Sequence, residues 1–231
     1  MAEGFEGVGE AVSKRTLKVF WLVDASGSMQ GEKIATLNRA IKECIPDMRD
    51  IADENPEVEM KVNVIKFDMD ASWITRDVNI MNFTWSDVTA NGYTALGAAL
   101  RLCLDELSVE KMGKRGLPPL IILMSDGAAT DDYKTPLETL QKDRWGKRAI
   151  RIAIAIGEDY DAKMLNEFRE PKEGEILVAK TAKQLVNLIR WASVTVSNTI
   201  TQTNAQTGTL PPPPQNNTIQ LGADNDDDDT F

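Results

Sequence analysis

Residues 17–28 read LKVFWLVDASGS, and this stretch decides the fold. Six of the seven residues at 17–23 are apolar with no alternation, which predicts a strand buried on both faces, as in a parallel sheet. The run stops at Asp24, and Asp24-Ala25-Ser26-Gly27-Ser28 brings a carboxylate and two hydroxyls directly after it. A polar cluster at the carboxyl end of a central strand lies where open α/β sheets build their sites.

Outward from that stretch, short apolar runs alternate with amphipathic segments. Further strands are expected at 58–67, 72–80, 119–124, 150–156 and 175–179, and the most polar, 72–80, reads as an edge. Ile34, Leu37, Ile41, Cys44, Ile45, Met48 and Ile51 mark a helix that Pro46 should kink. Leu96, Leu100, Cys103 and Leu107 mark another. Thr135-Pro136-Leu137-Glu138 reads as a capping box opening a helix near 136–145. Thr181-Ala182-Lys183-Gln184 is a second, ahead of an inner face of Leu185, Leu188, Ile189, Ala192 and Val196. The fold class expected is α/β: a doubly wound, mostly parallel central sheet with helices on both faces and one antiparallel edge strand. Residues 16–196 form the domain, after a flexible segment at 1–15. Residues 197–231, Thr-, Gln- and Asn-rich, then polyproline, then an Asp run, read as a disordered tail.

Composition removes several functions. The 231 residues contain no histidine, which excludes Ser-His-Asp triads, Cys-His dyads and HExxH zinc sites. The net charge of −10 argues against nucleic acid as a partner. Half of that charge is the five Asp of residues 197–231, which leaves −5 on residues 1–196. Cys44 and Cys103 stand among apolar residues at helical spacing and read as buried thiols. Residues 1–15 lack an apolar secretory core, and no apolar stretch nears the ~20 residues that span a bilayer. A cytoplasmic chain without membrane contact is expected.

Three segments carry the chemistry. Ser125-Asp126-Gly127 follows the fourth apolar run as Asp24-Ala25-Ser26-Gly27-Ser28 follows the first, and Thr94 opens a helix after Asn91-Gly92-Tyr93. Singly, Asp24 and Ser26 read as helix caps and Asp126-Gly127 as a turn. Together, in this order on alternating strands, they offer two carboxylates and three hydroxyls to one crevice. Hard oxygens without imidazole or thiolate suit Mg²⁺, Mn²⁺ or Ca²⁺.

DxSxS at 24–28, Thr94 and Asp126 resemble the metal-ion-dependent adhesion site of von Willebrand factor A (VWA) domains, with strand order and length in agreement across about residues 16–196. Within that family the chain looks most like the TerY-type proteins of bacterial tellurium-resistance and stress clusters. The residues behind this are FTWSD at 83–87, NGYTALGAAL at 91–100, PPLIILMSDG at 118–127, TDD at 130–132, WGKRA at 145–149 and IRWAS at 189–193. The resemblance implies that Ser26, Ser28 and Thr94 ligate the metal, with Asp24 and Asp126 acting directly or through waters. Ala128-Ala129 departs from the bulkier, often Pro-containing pair of such proteins, which leaves the ligands intact but alters the adjoining surface.

Neutral hydroxyls around a dication leave it attractive to an incoming carboxylate, so a protein partner supplying Asp or Glu is expected, with docking in place of catalysis. A kinase or phosphatase of the same cluster is the partner class the resemblance implies. An adaptor for an AAA-type ATPase or chelatase would carry the same site. A phosphoryl-transfer enzyme fits less well: residues 27–33 (GSMQGEK) have P-loop spacing one residue short, and no Ser or Thr follows Lys33. Lys33 and Glu32 then read as the solvated face of a helix. In the tail, Thr199, Thr201, Thr203, Thr207 and Thr209 are candidate phosphorylation sites if the segment is more than a spacer. Asp224 and Asp226 to Asp229 are either a solubilising end or a tethered competitor for the metal.

Overall fold

A computed structural model describes residues 14–169, 176–202 and 210–214. Six strands make one sheet: β1 (Arg15–Asp24), β2 (Val58–Phe67), β3 (Ala71–Asn79), β4 (Leu120–Ser125), β5 (Ile150–Ile156) and β6 (Leu177–Ala179). Their order is β3-β2-β1-β4-β5-β6, with β3 antiparallel to β2 and every other pair parallel. The expected mostly parallel sheet with one antiparallel edge is the fold observed. Strand order reverses between β1 and β4, so the crevice beyond their carboxyl ends is the switch point of the sheet.

The unbroken apolar run at 17–23 has a direct cause. Leu17, Val19, Trp21 and Val23 face a layer built from α1 (Glu32–Glu54), α6 (Ala182–Arg190) and α7 (Val196–Gln202). Phe20 and Leu22 face the opposite layer of α2 (Leu96–Glu106), α3 (Val109–Met112), α4 (Lys134–Lys142) and α5 (Ala162–Phe168). Pro46 lies inside α1. Cys44 and Cys103 are buried in opposite layers and neither forms a disulfide. Burial pushes the Cys44 thiol up to about 12, and the Cys103 thiol up as well.

Lys18 interrupts the run and is 1% exposed. Its Nζ donates to Glu106 Oε1 at 2.7 Å and lies 2.8 Å from Asp77 Oδ1. Asp77 sits at φ 53° where the β2–β3 register shifts, and its N–H donates to Asn63 Oδ1 at 2.8 Å. The irregular edge strand is thus anchored to the central strand by an ion pair whose lysine is buried and whose carboxylate is partly exposed.

Two sequence expectations are corrected. α4 opens at Lys134, not at 136, and Thr135 does not cap it: the Asp132 carboxylate accepts the Thr135 N–H at 3.2 Å. Pro136 falls in the first turn, where its missing N–H has no intrahelical partner to lose. The second capping box holds, with Thr181 Oγ1 accepting the Gln184 N–H at 3.3 Å. The domain does not end at 196. A π-helical turn, Trp191–Thr195, joins α6 to α7, which continues to Gln202 with Val196, Ser197, Ile200 and Thr201 buried. Ile200 repeats Val196 one turn on, so the apolar stripe outlasts the polar composition that suggested a tail. Thr199 and Thr201 therefore belong to a packed helix. Thr203, Thr207, Thr209 and the Asp run lie outside the described residues. Leu210 packs against the same core layer as α7. Among the described residues no helix is long and apolar enough to cross a membrane.

Ile200→Ala tests the boundary. A side chain 1% exposed against the core should cost about 2–5 kcal/mol on truncation, read as a lower urea midpoint at unchanged m. A domain ending at 196 would leave the midpoint unmoved.

Candidate metal centre

β1 delivers Asp24 to the crevice with none of its surface exposed. Its Oδ1 accepts the Ser26 N–H at 2.8 Å and its Oδ2 accepts the Ser125 hydroxyl at 2.5 Å. The first bond closes the turn after β1, and the second ties that turn to the end of β4. Burial pushes the Asp24 carboxyl up to about 6, against the lowering effect of its bonds to Ser125 and Ser26, and the nearby Asp126 charge adds to the rise. A buried carboxylate in this state is stabilised by any cation brought to it.

Ser26 precedes a short 3₁₀ turn, Gly27–Met29, and Ser28 lies within it, while Met29 anchors the turn in the core. Their hydroxyl oxygens are 3.1 Å apart, with Ser26 buried and Ser28 exposed at the mouth. The loop bearing Thr94 is stitched to this turn by Asn91 N–H to Ala25 O at 2.7 Å and Gly27 N–H to Gly92 O at 3.1 Å. A β-carbon placed on Gly127 would lie 3.8 Å from Ser28 Oγ and 3.9 Å from Thr94 Oγ1, so both hydroxyls border one small space. Asp126, 3% exposed, closes it: its Oδ1 accepts from Ser28 Oγ at 2.7 Å and its Oδ2 from Lys33 Nζ at 2.8 Å. All five residues singled out in the sequence come together.

Four further residues build the site and were not singled out as doing so. Ser125 orients Asp24. Thr130 holds Thr94 from both sides: its Oγ1 accepts the Thr94 N–H at 3.1 Å, and its own N–H donates to Thr94 O at 2.9 Å. Asp131 accepts the Gly97 and Ala98 N–H groups at 2.8 and 2.9 Å, capping α2 immediately beyond Thr94. That approach demands glycine at 97, where a β-carbon would collide with the Asp132 carbonyl. The fourth is Lys33, assigned above to a solvated helix face and found turned into the crevice. A lysine in the first turn of a long helix opposes the helix dipole, a weak hint that does not name its partner.

The donors fit a hard divalent cation. Three hydroxyls and two carboxylates, the ligand types such ions take, converge on one space, and an ammonium already occupies one of the carboxylate oxygens. Among the described residues no group of three or more His, Cys, Asp or Glu gathers as an alternative metal cluster.

Comparison with known proteins bears on the fold. No curated protein sequence matches the chain. Among solved structures, proximal thread matrix protein 1 of the mussel byssus superposes with a TM-score of 0.59 at 16% identity, over 80% of this chain and 49% of that one. A structure of the same protein with its MIDAS motif occupied by zinc gives 0.55 at 15% identity, covering 81% and 46%. A von Willebrand factor type A protein of Catenulispora acidiphila gives 0.59 at 17% identity, covering 79% and 42%. The chain spans less than half the length of each, and the likeness is one of fold. The sequence model for the von Willebrand factor type A domain matches residues 19–191, which takes in every strand of the sheet apart from the first four residues of β1, all the site residues and the whole of α6. On that match the chain belongs to the von Willebrand factor type A domain family.

Proposed function

We propose that this domain binds one divalent cation through Ser26, Ser28 and Thr94, with Asp24 and Asp126 acting directly or through waters, and uses it to dock an acidic side chain of a protein partner. The observation that carries this is the gathering of three hydroxyls and two buried carboxylates beyond β1 and β4, at the switch point of the sheet. Mg²⁺ is the cation the oxygen set favours. Zinc in the MIDAS motif of the mussel byssus protein supports a divalent ion in this fold without fixing which one. When bound, the cation supplies a Lewis-acidic position for a carboxylate oxygen, while the chain's own residues hold that position.

Docking is favoured over catalysis by what surrounds the cradle. Met69 and Tyr93 are 69% and 66% exposed, two of the four large exposed apolar side chains among the described residues. Tyr93 precedes Thr94, and Met69 lies against Gly92 of the same loop. Apolar and aromatic groups beside a charged anchor are the anatomy of a protein interface. The partner reading extends from the TerY-type resemblance: a tellurium-resistance or stress cluster, with a kinase or phosphatase as the docked protein.

Three results test this reading. Calorimetry should show one Mg²⁺ or Mn²⁺ per chain, none for Asp24→Ala, and affinity about 10–100-fold weaker for Ser125→Ala, which removes only the group orienting Asp24. Unchanged affinity in Asp24→Ala would sink the assignment. Protons should compete at Asp24. Its folded value, about 6, lies above the ordinary 3.8, so the metal-free fold is favoured below 3.8 and loses that advantage as pH rises through about 6. Metal needs the ionised form, so Mn²⁺ affinity should hold above about pH 6.5 and fall by up to about tenfold per unit below 6. A flat profile from pH 7.5 to 5 would remove Asp24 from the site. Finally, Tyr93→Ala should weaken EDTA-sensitive capture of partner from cell extract while leaving Mn²⁺ affinity unchanged, as capture and metal binding use different groups.

A further inference from the structure

The position of Lys33 carries an inference beyond the ligand set. Lys33 is in the first turn of α1, against the dipole of a 23-residue helix. Its side chain is 24% exposed and runs past Gly157, whose backbone has φ 86° at the end of β5. A β-carbon on Gly157 would touch Lys33 Cε and Nζ at 3.4 Å each, so the absent side chain leaves the channel through which the lysine reaches the crevice. At its end the ammonium takes Asp126 Oδ2 at 2.8 Å, while Oδ1 of the same carboxylate accepts from Ser28. The lysine therefore fixes which oxygen of Asp126 faces the three hydroxyls.

Three further acids near the crevice are already matched. Asp68 pairs with Lys66 at 2.6 Å, Asp131 caps α2 with Arg101 at 3.5 Å, and Glu158 pairs with Lys180 at 3.1 Å. What remains in the hydrogen-bonded set is Asp24, Asp126 and Lys33, with a net charge of −1. A dication brings that set to +1. Without Lys33 the two carboxylates would cancel the dication fully.

We propose that Lys33 is a positioning residue that orients Asp126 and keeps the metal-loaded site net positive, at the cost of metal affinity, so that the site selects a carboxylate-bearing partner. The proposal rests on the metal reading above, and it assigns the specificity for an acidic ligand to a side chain outside the ligand set. It also makes the ammonium a tethered cation that holds Asp126 in place before metal arrives. Lys33 thus acts with opposite sign on the two steps: against the cation, and for the anion that follows it.

The test uses the full chain with Lys33→Met, which keeps length and removes charge, and Lys33→Arg, which keeps charge. Mn²⁺ binding is measured by calorimetry. Sodium acetate is then titrated onto the Mn²⁺-loaded protein and followed by water-proton relaxation. One unit charge removed within a few ångströms of the metal, at an effective dielectric near ~20, should tighten Mn²⁺ about tenfold or more. Acetate binding should weaken several-fold in the same variant, and Lys33→Arg should restore both towards wild type. Opposite shifts in the two affinities are the signature, since a variant that merely loosens the crevice weakens both. Mn²⁺ affinity unchanged or weaker in Lys33→Met, or acetate affinity unchanged, overturns the role of Lys33 while the metal reading stands. Mn²⁺ binding by neither wild type nor Lys33→Met overturns the metal reading itself. Binding by Lys33→Met alone overturns the metal reading for the native chain, and with it the role of Lys33 in anion selection.

Discussion

A carboxylate removed from water is the constraint around which this molecule is arranged. Isolated ionised groups are costly to bury, and Asp24 escapes that cost only through bonds from two separate segments, the Ser26 N–H and the Ser125 hydroxyl. Those bonds couple the turn after β1 to the end of β4. The Thr94 loop is in turn held to the first of these turns by Asn91 and Gly27, and to the loop after β4 by Thr130 and Asp131. None of these bonds neutralises the charge. Hydrogen bonding holds Asp24 in place, and the crevice is left with a demand for positive charge.

The opposite end of the sheet shows the same problem solved internally. Lys18 is buried as deeply as Asp24, yet it belongs to a network of Lys18, Lys61, Arg76 and Lys111 with Glu59, Asp77, Asp105 and Glu106. Four cations meet four acids, and the network asks nothing of a ligand. Its product is structural: the bulged β3 is fixed to β1 and α2. Two buried charges on one strand thus have different roles, and the difference is read from the balance of their neighbours and not from burial.

The fold was legible because β1, β4 and β5 are buried on both faces, and such strands leave unbroken apolar runs. The ligand set was legible because each member follows directly from the end of a strand or the start of a helix. Lys33 was not, since periodicity places it on the polar side of α1 and cannot show that the first turn overhangs the end of β4. Thr130 and Asp131 were quoted only for their resemblance, as their work is to hold a loop some 36 residues away in sequence. At the C-terminus, composition misled. Thr, Asn and Gln around Ile200 suggested a solvated tail, whereas the spacing of Val196 and Ile200 continued the buried stripe. The π-helical turn between the two halves brings Ser193 Oγ within 3.1 Å of the Trp21 Nε1 donor, a contact that no local pattern encodes.

Preorganisation gives these details a common consequence. Thr94 is held through both its N–H and its carbonyl, Ser26 closes on Asp24, and Asp126 has both oxygens engaged, so the cradle exists before any cation enters. A preformed site spends little of its binding free energy on ordering its own loops. What it lacks is charge, because three of its five oxygen donors are neutral hydroxyls and one of its two carboxylates already shares a lysine. A dication held in this way is well positioned and incompletely neutralised, and the cheapest anion to complete it is a carboxylate on a surface that also covers Met69 and Tyr93. Geometry and charge together therefore favour a site that is finished by its partner over one that is complete alone.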